Sequence, residues 1–216
     1  PEGRREHAAM SSGAIDSLCI GSSKVAEIEK VLARAMVDGS GPAEGGAEGW
    51  EEIDEPIKKS VVLFHSRPGG ALLLALYADK HWSREWNIYL ITAANQDRQE
   101  TIHTALKLVK YSDQTQKPSI LIVAMSVGGE GVNGMQNASY SISVDLPLSE
   151  ALKTQVAGRV YRYGQIHESH HYQLVSQHPA ERIILARHRK RDAEFQRLLE
   201  ELGGEVDGDT EGPAAD

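Results

Sequence analysis

Short apolar runs along this chain alternate with longer stretches in which apolar positions recur every three or four residues. Val61 to Ser66 (VVLFHS) and Ile120 to Met125 read as buried strands, and Trp86 to Thr92, Tyr140 to Val144 and His170 to Ser176 as further strands. Between them, Gly69 to Lys80 and Gln96 to Lys110 read as helices. Pro179 to Leu202 reads as a long amphipathic helix with proline near its first turn. Strands alternating with helices of this length predict an α/β fold with a mostly parallel sheet.

The chain's 216 residues suit one domain with tails. Residues 1–21 read as a flexible N-terminal segment, an acidic Gly-rich insertion interrupts the domain near residues 38–57, and residues 203–216 form a polar acidic tail. A hydrophobic content of 40% is ordinary for a globule. No run approaches the ~20 apolar residues that span a bilayer, and no signal-peptide pattern opens the chain. The single cysteine, Cys19, excludes an internal disulfide framework and reads as an inert packing residue. A net charge of -8 argues against a generic basic nucleic-acid binder, yet leaves room for a local phosphate-contacting face.

Two segments carry candidate chemistry. Gly129-Glu130-Gly131-Val132-Asn133-Gly134 fits G-x-G-x-x-G after a strand, as in a dinucleotide-binding fold. That fold needs a full helix after the glycines, and only Met135 to Ala138 separate them from the next strand. The dinucleotide reading therefore fails on length, leaving a turn whose backbone can approach phosphate oxygens or a tight turn with no ligand. The second segment, Gln155 to Gln165 (QVAGRVYRYGQ), sets Arg159 and Arg162 three positions apart. On a helix those positions share a face, so two guanidiniums would point together at dense negative charge such as a triphosphate. A solvated basic helix is the plainer alternative.

In order and in residues, these segments resemble the C-terminal RecA-like lobe of superfamily-2 helicases, specifically the Swi/Snf-type DNA-dependent ATPases. GSSKVAEIEKVLARAM is similar to the helix that opens the lobe, VVLFHS to its first core strand and DRQETIHTAL to the family's Arg-containing helix. GGEGVN is similar to the fifth helicase motif, QVAGRVYRYGQ to the sixth, and HPAERIILARHRKR to the closing helix. The resemblance covers residues 22–202 and implies a three-layer αβα lobe with a mostly parallel central sheet. It implies that Arg159 and Arg162 are arginine fingers, that Gly129, Gly131, Asn133, Gln155 and Gly158 line an ATP cleft, and that Ser66, Ser126 and Gly128 face nucleic acid. By resemblance the ligand is ATP with Mg2+, held mainly by a first RecA-like lobe in cis or trans. The resemblance likewise implies double-stranded DNA or chromatin as the track and a nuclear location. An RNA helicase lobe fits the Tyr161-Arg162-Tyr163-Gly164-Gln165 ending less well.

The chain departs from the family at several points. Ala124 and Met125 stand where Ser-Thr is usual, with Ser126 one place on, and Met125 cannot donate to a phosphate. Glu130 replaces an apolar residue, Leu146-Pro147-Leu148 replaces Trp-Asn-Pro, and Ala93-Ala94-Asn95 replaces Asp-Gly-Ser. The side toward ATP is intact while the side toward the track is eroded. No G-x-x-x-x-G-K-[ST] and no strand-borne acidic pair for Mg2+ occurs, so the chain is expected to be part of an ATP hydrolase and not competent alone. The alternative is a catalytically inactive helicase-like lobe that serves as a protein- or nucleic-acid-interaction scaffold.

Other constellations point nowhere specific. His167, His170, His171 and His178 read as surface or loop histidines rather than metal ligands. The basic run Arg187 to Arg191 reads as the solvated face of its helix. Asp145, at a strand end, is expected to orient an arginine or cap a helix.

Overall fold

A computed structural model describes residues 13, 15–17, 19–37, 57–128, 133–147, 149–162, 165 and 168–201. Helix α1 spans Ser23–Val37, followed by β1 (Ile57–Lys58), β2 (Val61–His65) and α2 (Pro68–Trp82). Next come β3 (Asn87–Ile91), α3 (Arg98–Ala105), β4 (Val109–Lys110), β5 (Ser119–Ala124) and the single turn α4 (Met125–Gly128). A 3-10 turn at Met135–Asn137 leads into β6 (Tyr140–Ser143), α5 (Glu150–Val160), β7 (His170–Gln173) and α6 (Pro179–Glu201).

The central sheet has five strands in the order β3-β5-β2-β6-β7, with every neighbouring pair parallel. Parallel strands need covered faces, and the sequences of β2 and β5 show why these lie in the middle: Val61 to Phe64 and Ile120 to Ala124 are fully buried. At the edge strand β7, alternating side chains meet different helices. The Tyr172 hydroxyl accepts a hydrogen bond from Arg34 of α1 at 2.9 Å. Its neighbour His171 points the opposite way, where Lys153 of α5 helps burial to lower its pKa. The chain leaves β2 for one side of the sheet (β3, β5) and then crosses to the other (β6, β7). Ligands gather at such switch points, outside the carboxyl ends of the strands.

Strands form in each of the five expected places, the last only over His170–Gln173, and the helices expected over 69–80 and 179–202 form as well. Cys19 is buried, and burial pushes its thiol up, in keeping with a packing role. The helical spacing over 96–110 is cut short: α3 ends at Ala105, and Val109–Lys110 pairs antiparallel with Ile57–Lys58. Leu106 leaves helical backbone at φ -105°, and its carbonyl accepts from Asn137 Nδ2 at 3.3 Å, which caps the helix from a distant turn. Ile57, assigned by its acidic neighbours to the insertion, is thereby a buried strand residue. The rest of that insertion, 38–56, lies outside the described residues, as do residues 1–12 and the tail at 203–216.

The chain divides into two compact units, Pro1–Ser176 and Gln177–Asp216. The second is built on α6, which exposes Ile183, Phe195 and Leu198. Among the described residues, no helix is long and apolar enough to cross a membrane.

Candidate functional site

The carboxyl ends of β2 and β6 meet in a polar knot. Asp145, just past β6, accepts from the Ser66 backbone N–H at 2.7 Å and from the Ser66 hydroxyl, and its carboxylate lies 3.4 Å from His65 Nδ1. Lys24 donates from α1 to the Val144 carbonyl at 2.8 Å, and Gln173 donates to the carbonyls of Ser143 and Asp145, both at 3.3 Å. His65 Nδ1 accepts from the Arg67 N–H at 3.1 Å, which leaves the ring's proton on Nε2. Burial, aided by the Lys24 and Arg67 charges, pushes the His65 pKa down despite the Asp145 carboxylate. The ring packs so closely on α2 that a Cβ on Gly70 would overlap it. Asp145 therefore orients a serine and lies beside a histidine, not the expected arginine, and it does not cap a helix; Ser149 is the residue before α5.

Ser66 stands where nucleic acid is expected to pass, but its hydroxyl proton is committed to Asp145. At the end of β5, Met125 is wholly buried and Ser126 is exposed on the α4 turn, with Val127 buried beside it. The hydroxyl displaced by one position thus remains available at the surface. Gly128 closes that turn. Gly129, Glu130, Gly131 and Val132 lie outside the described residues. Leu146 and Pro147, which stand where the resemblance leads one to expect Trp-Asn, are buried. Asn95, of the Ala93-Ala94-Asn95 departure, closes its own turn by accepting from the Thr92 N–H at 2.8 Å. Arg98 seals the same turn, donating to the carbonyls of Asn95 and Ala93 at 3.2 and 3.0 Å.

The second polar region surrounds Arg162. The spacing of Arg159 and Arg162 predicts one shared helical face, but α5 ends at Val160 and Tyr161 is extended at ψ 92°. Arg162 therefore lies beyond the helix, drawn off by tertiary bonds. Its Nη1 donates to Asn133 Oδ1 at 2.6 Å, and Gln165 Nε2, three residues on, donates to the Ala138 carbonyl at 3.1 Å. Arg159 remains on the last turn of α5, half-buried. Among the described residues no carboxylate pairs with Arg162, which is exposed and bonded to an uncharged oxygen. Gln155 and Gly158 lie on exposed positions of α5, and a Cβ on Gly158 would meet no atom within 4 Å. An exposed helix interior ordinarily favours alanine by ~1 kcal/mol, so the helix itself does not call for this glycine.

Asn133 is held in turn by Gln99 of α3. The Gln99 side chain donates to the Asn133 carbonyl at 2.8 Å and accepts from the Asn133 N–H at 3.2 Å. The structure thus unites Asn133 with Arg162 and Ser66 with Asp145. Gln99, His65 and Lys24 were not legible as site residues: each partner is distant in sequence, and no local motif marks them. Among the described residues no group of three or more His, Cys, Asp or Glu is arranged to hold a metal.

No protein-family model matches the chain. A protein of Bacillus subtilis (strain 168), described as the uncharacterized ATP-dependent helicase YqhH, is 34% identical over 87 residues, which is 40% of this chain and 15% of its own length. The structure is similar to the C-terminal part of the Fun30 ATPase domain, with a TM-score of 0.56 and 19% identity, over 77% of this chain and 45% of that one. The fold is that of a helicase C-terminal, RecA-like lobe. A more distant likeness joins the lobe to Mss116p DEAD-box helicase domain 2 bound to an RNA duplex, with a TM-score of 0.42 and 15% identity over 54% of this chain and 42% of that one. The lobe spans only a small part of the curated helicase that it matches.

Proposed function

We propose that this chain is the second RecA-like lobe of a Swi/Snf-type, ATP-dependent DNA translocase. In this reading it completes an interlobe ATP site whose Walker elements belong to a first lobe. The observation that carries the reading is Arg162, which the fold brings to Asn133 of the Gly-rich crossover and tethers through a neutral amide oxygen at 2.6 Å. A guanidinium offers five N–H donors, so a bond from one nitrogen leaves charge and donors for a polyphosphate. The open space beside Gly158 fits the close approach of such a group.

ATP, when bound by the first lobe with Mg2+, supplies the phosphoryl group whose transfer to water drives movement. Arg162 and Arg159 hold positive charge toward it, a contribution worth ~10³-fold or more in rate where such fingers act. Gln155 and Gly158 line the approach, and Gly129 and Gly131 pass cleft closure to the track. Ser126 and Gly128, at the end of β5, face nucleic acid, with Ser66 contributing only its oxygen as an acceptor. Double-stranded DNA in chromatin is the proposed track, and the nucleus the proposed location.

The test is ATP hydrolysis by the intact parent protein with and without duplex DNA. Stimulated turnover that Arg159→Ala abolishes, with folding intact, is expected. Near-normal turnover in that variant would overturn the finger assignment. The second reading, an inactive lobe kept as an interaction scaffold, draws on the burial of Met125 and the engagement of the Ser66 proton by Asp145. It predicts no turnover by the parent under any condition.

A further inference from the structure

We propose that Gln99 is a positioning residue for Arg162, acting through Asn133. The proposal rests on the reading of Arg162 as a finger. A side-chain amide that both donates to and accepts from one residue's backbone imitates a strand pairing, fixing that residue's peptide planes on both sides. Gln99 does this to Asn133, with bonds of 2.8 and 3.2 Å.

The next residue is fixed as well. Gly134 has φ +103°, its N–H donates to Gln136 Oε1 at 2.9 Å, and a Cβ there would come within 3.3 Å of the buried Ile102 Cγ2 and 3.8 Å of Gln99 Nε2. Gln99 and Ile102 lie three apart on α3 and so present one face to the crossover. With its backbone held, Asn133 keeps its Oδ1 in one place. Only an acceptor can face a guanidinium, so the amide orientation follows from the 2.6 Å bond to Arg162. Arg162 has left α5 and is exposed, so no helix packing limits a side chain that carries about 2 kcal/mol of rotamer entropy. The bond to Asn133 supplies that restriction, and α3 supplies it to Asn133.

No other side chain reproduces the two-point contact. Glutamate has no donor for the Asn133 carbonyl, and asparagine is shorter by a methylene.

The test uses the parent protein with Gln99→Ala and Gln99→Glu, each alone and combined with Arg162→Ala. Gln99→Ala is expected to lower kcat about 10-fold or more, with KM for ATP nearly unchanged, since small misplacements of a reacting group cost rate steeply. Gln99→Glu, which keeps the acceptor alone, falls between. In the Arg162→Ala background Gln99→Ala adds nothing, because its effect runs through Arg162. Equal losses in both backgrounds would mark Gln99 as merely structural and overturn the proposal. Amide hydrogen exchange provides a readout independent of turnover. Gln99→Ala should accelerate exchange in peptides covering 133–138 and 159–165 while leaving 61–66 unchanged. If the parent hydrolyses no ATP, the finger reading fails, and exchange still decides the tether. Unchanged exchange at 133–138 and 159–165 would refute it.

Discussion

The ends of β2 and β6 and the surroundings of Arg162 are both assembled from polar side chains, but they are finished differently. In the first, the Asp145 carboxylate takes both donors of Ser66, faces His65, and sits among carbonyls claimed by Lys24 and Gln173. In the second, among the described residues, a full cation is met by one neutral amide oxygen. Two glycines repeat the contrast. Gly70 is forced by the His65 ring, whereas nothing in the described structure occupies the space beside Gly158. In the knot the carboxylate is met by donors, although the buried Gln173 Oε1 has no partner among the described residues, and such a region serves the fold. The region that leaves charge and space unused among the described residues is the one proposed to receive a ligand.

The largest stability effect should come from the knot. Asp145→Ala removes the charged acceptor for both donors of Ser66 and is expected to cost about 2–3 kcal/mol, read by urea denaturation. An unchanged midpoint would erase the distinction between the two regions. Gly70→Ala should cost about 1–2 kcal/mol, in the lower half of the usual overpacking range, because the His65 side chain is 20% exposed and has room to yield.

Gly158→Ala sharpens the comparison from the other side. It is expected to stabilise the chain by about 0.5–1 kcal/mol while slowing ATP turnover in the parent. A variant that is more stable and equally active would mean that the open space serves no ligand. The smallest effect concerns pH. Burial holds the His65 and His171 pKa values below the ordinary value of about 6.5. The unfolded chain therefore binds more protons as pH falls through that value, and stability, complete above it, is progressively lost below it. His65→Gln should flatten this slope between pH 7.5 and 5.5. An unaltered slope would show that His65 does not titrate out of step with the unfolded chain.

The sheet was largely legible in the sequence because β2 and β5 are continuous apolar runs, a pattern tied to strands covered on both faces. What escaped the sequence depends on distant partners. Helical spacing runs on past Ala105, yet Asn137 caps Leu106 and Ile57 recruits Lys110 into a strand pair. The i, i+3 rule assumes that a helix continues. Asn133 and Ala138 draw the chain away after Val160, so a tertiary bond brings the Arg162 guanidinium to the crossover while Arg159 stays on the last turn of the helix. The position before Asp145 gave no hint that its carboxylate would be spent on Ser66.

The central claim is that Arg162 is a cation held ready rather than neutralised. Its most direct test pairs ATP turnover with urea unfolding in the parent protein carrying Arg162→Ala. The account predicts a loss of turnover of roughly 10³-fold with an unfolding midpoint close to wild type. Turnover that survives the substitution, or a loss matched by collapse of the fold, would contradict it.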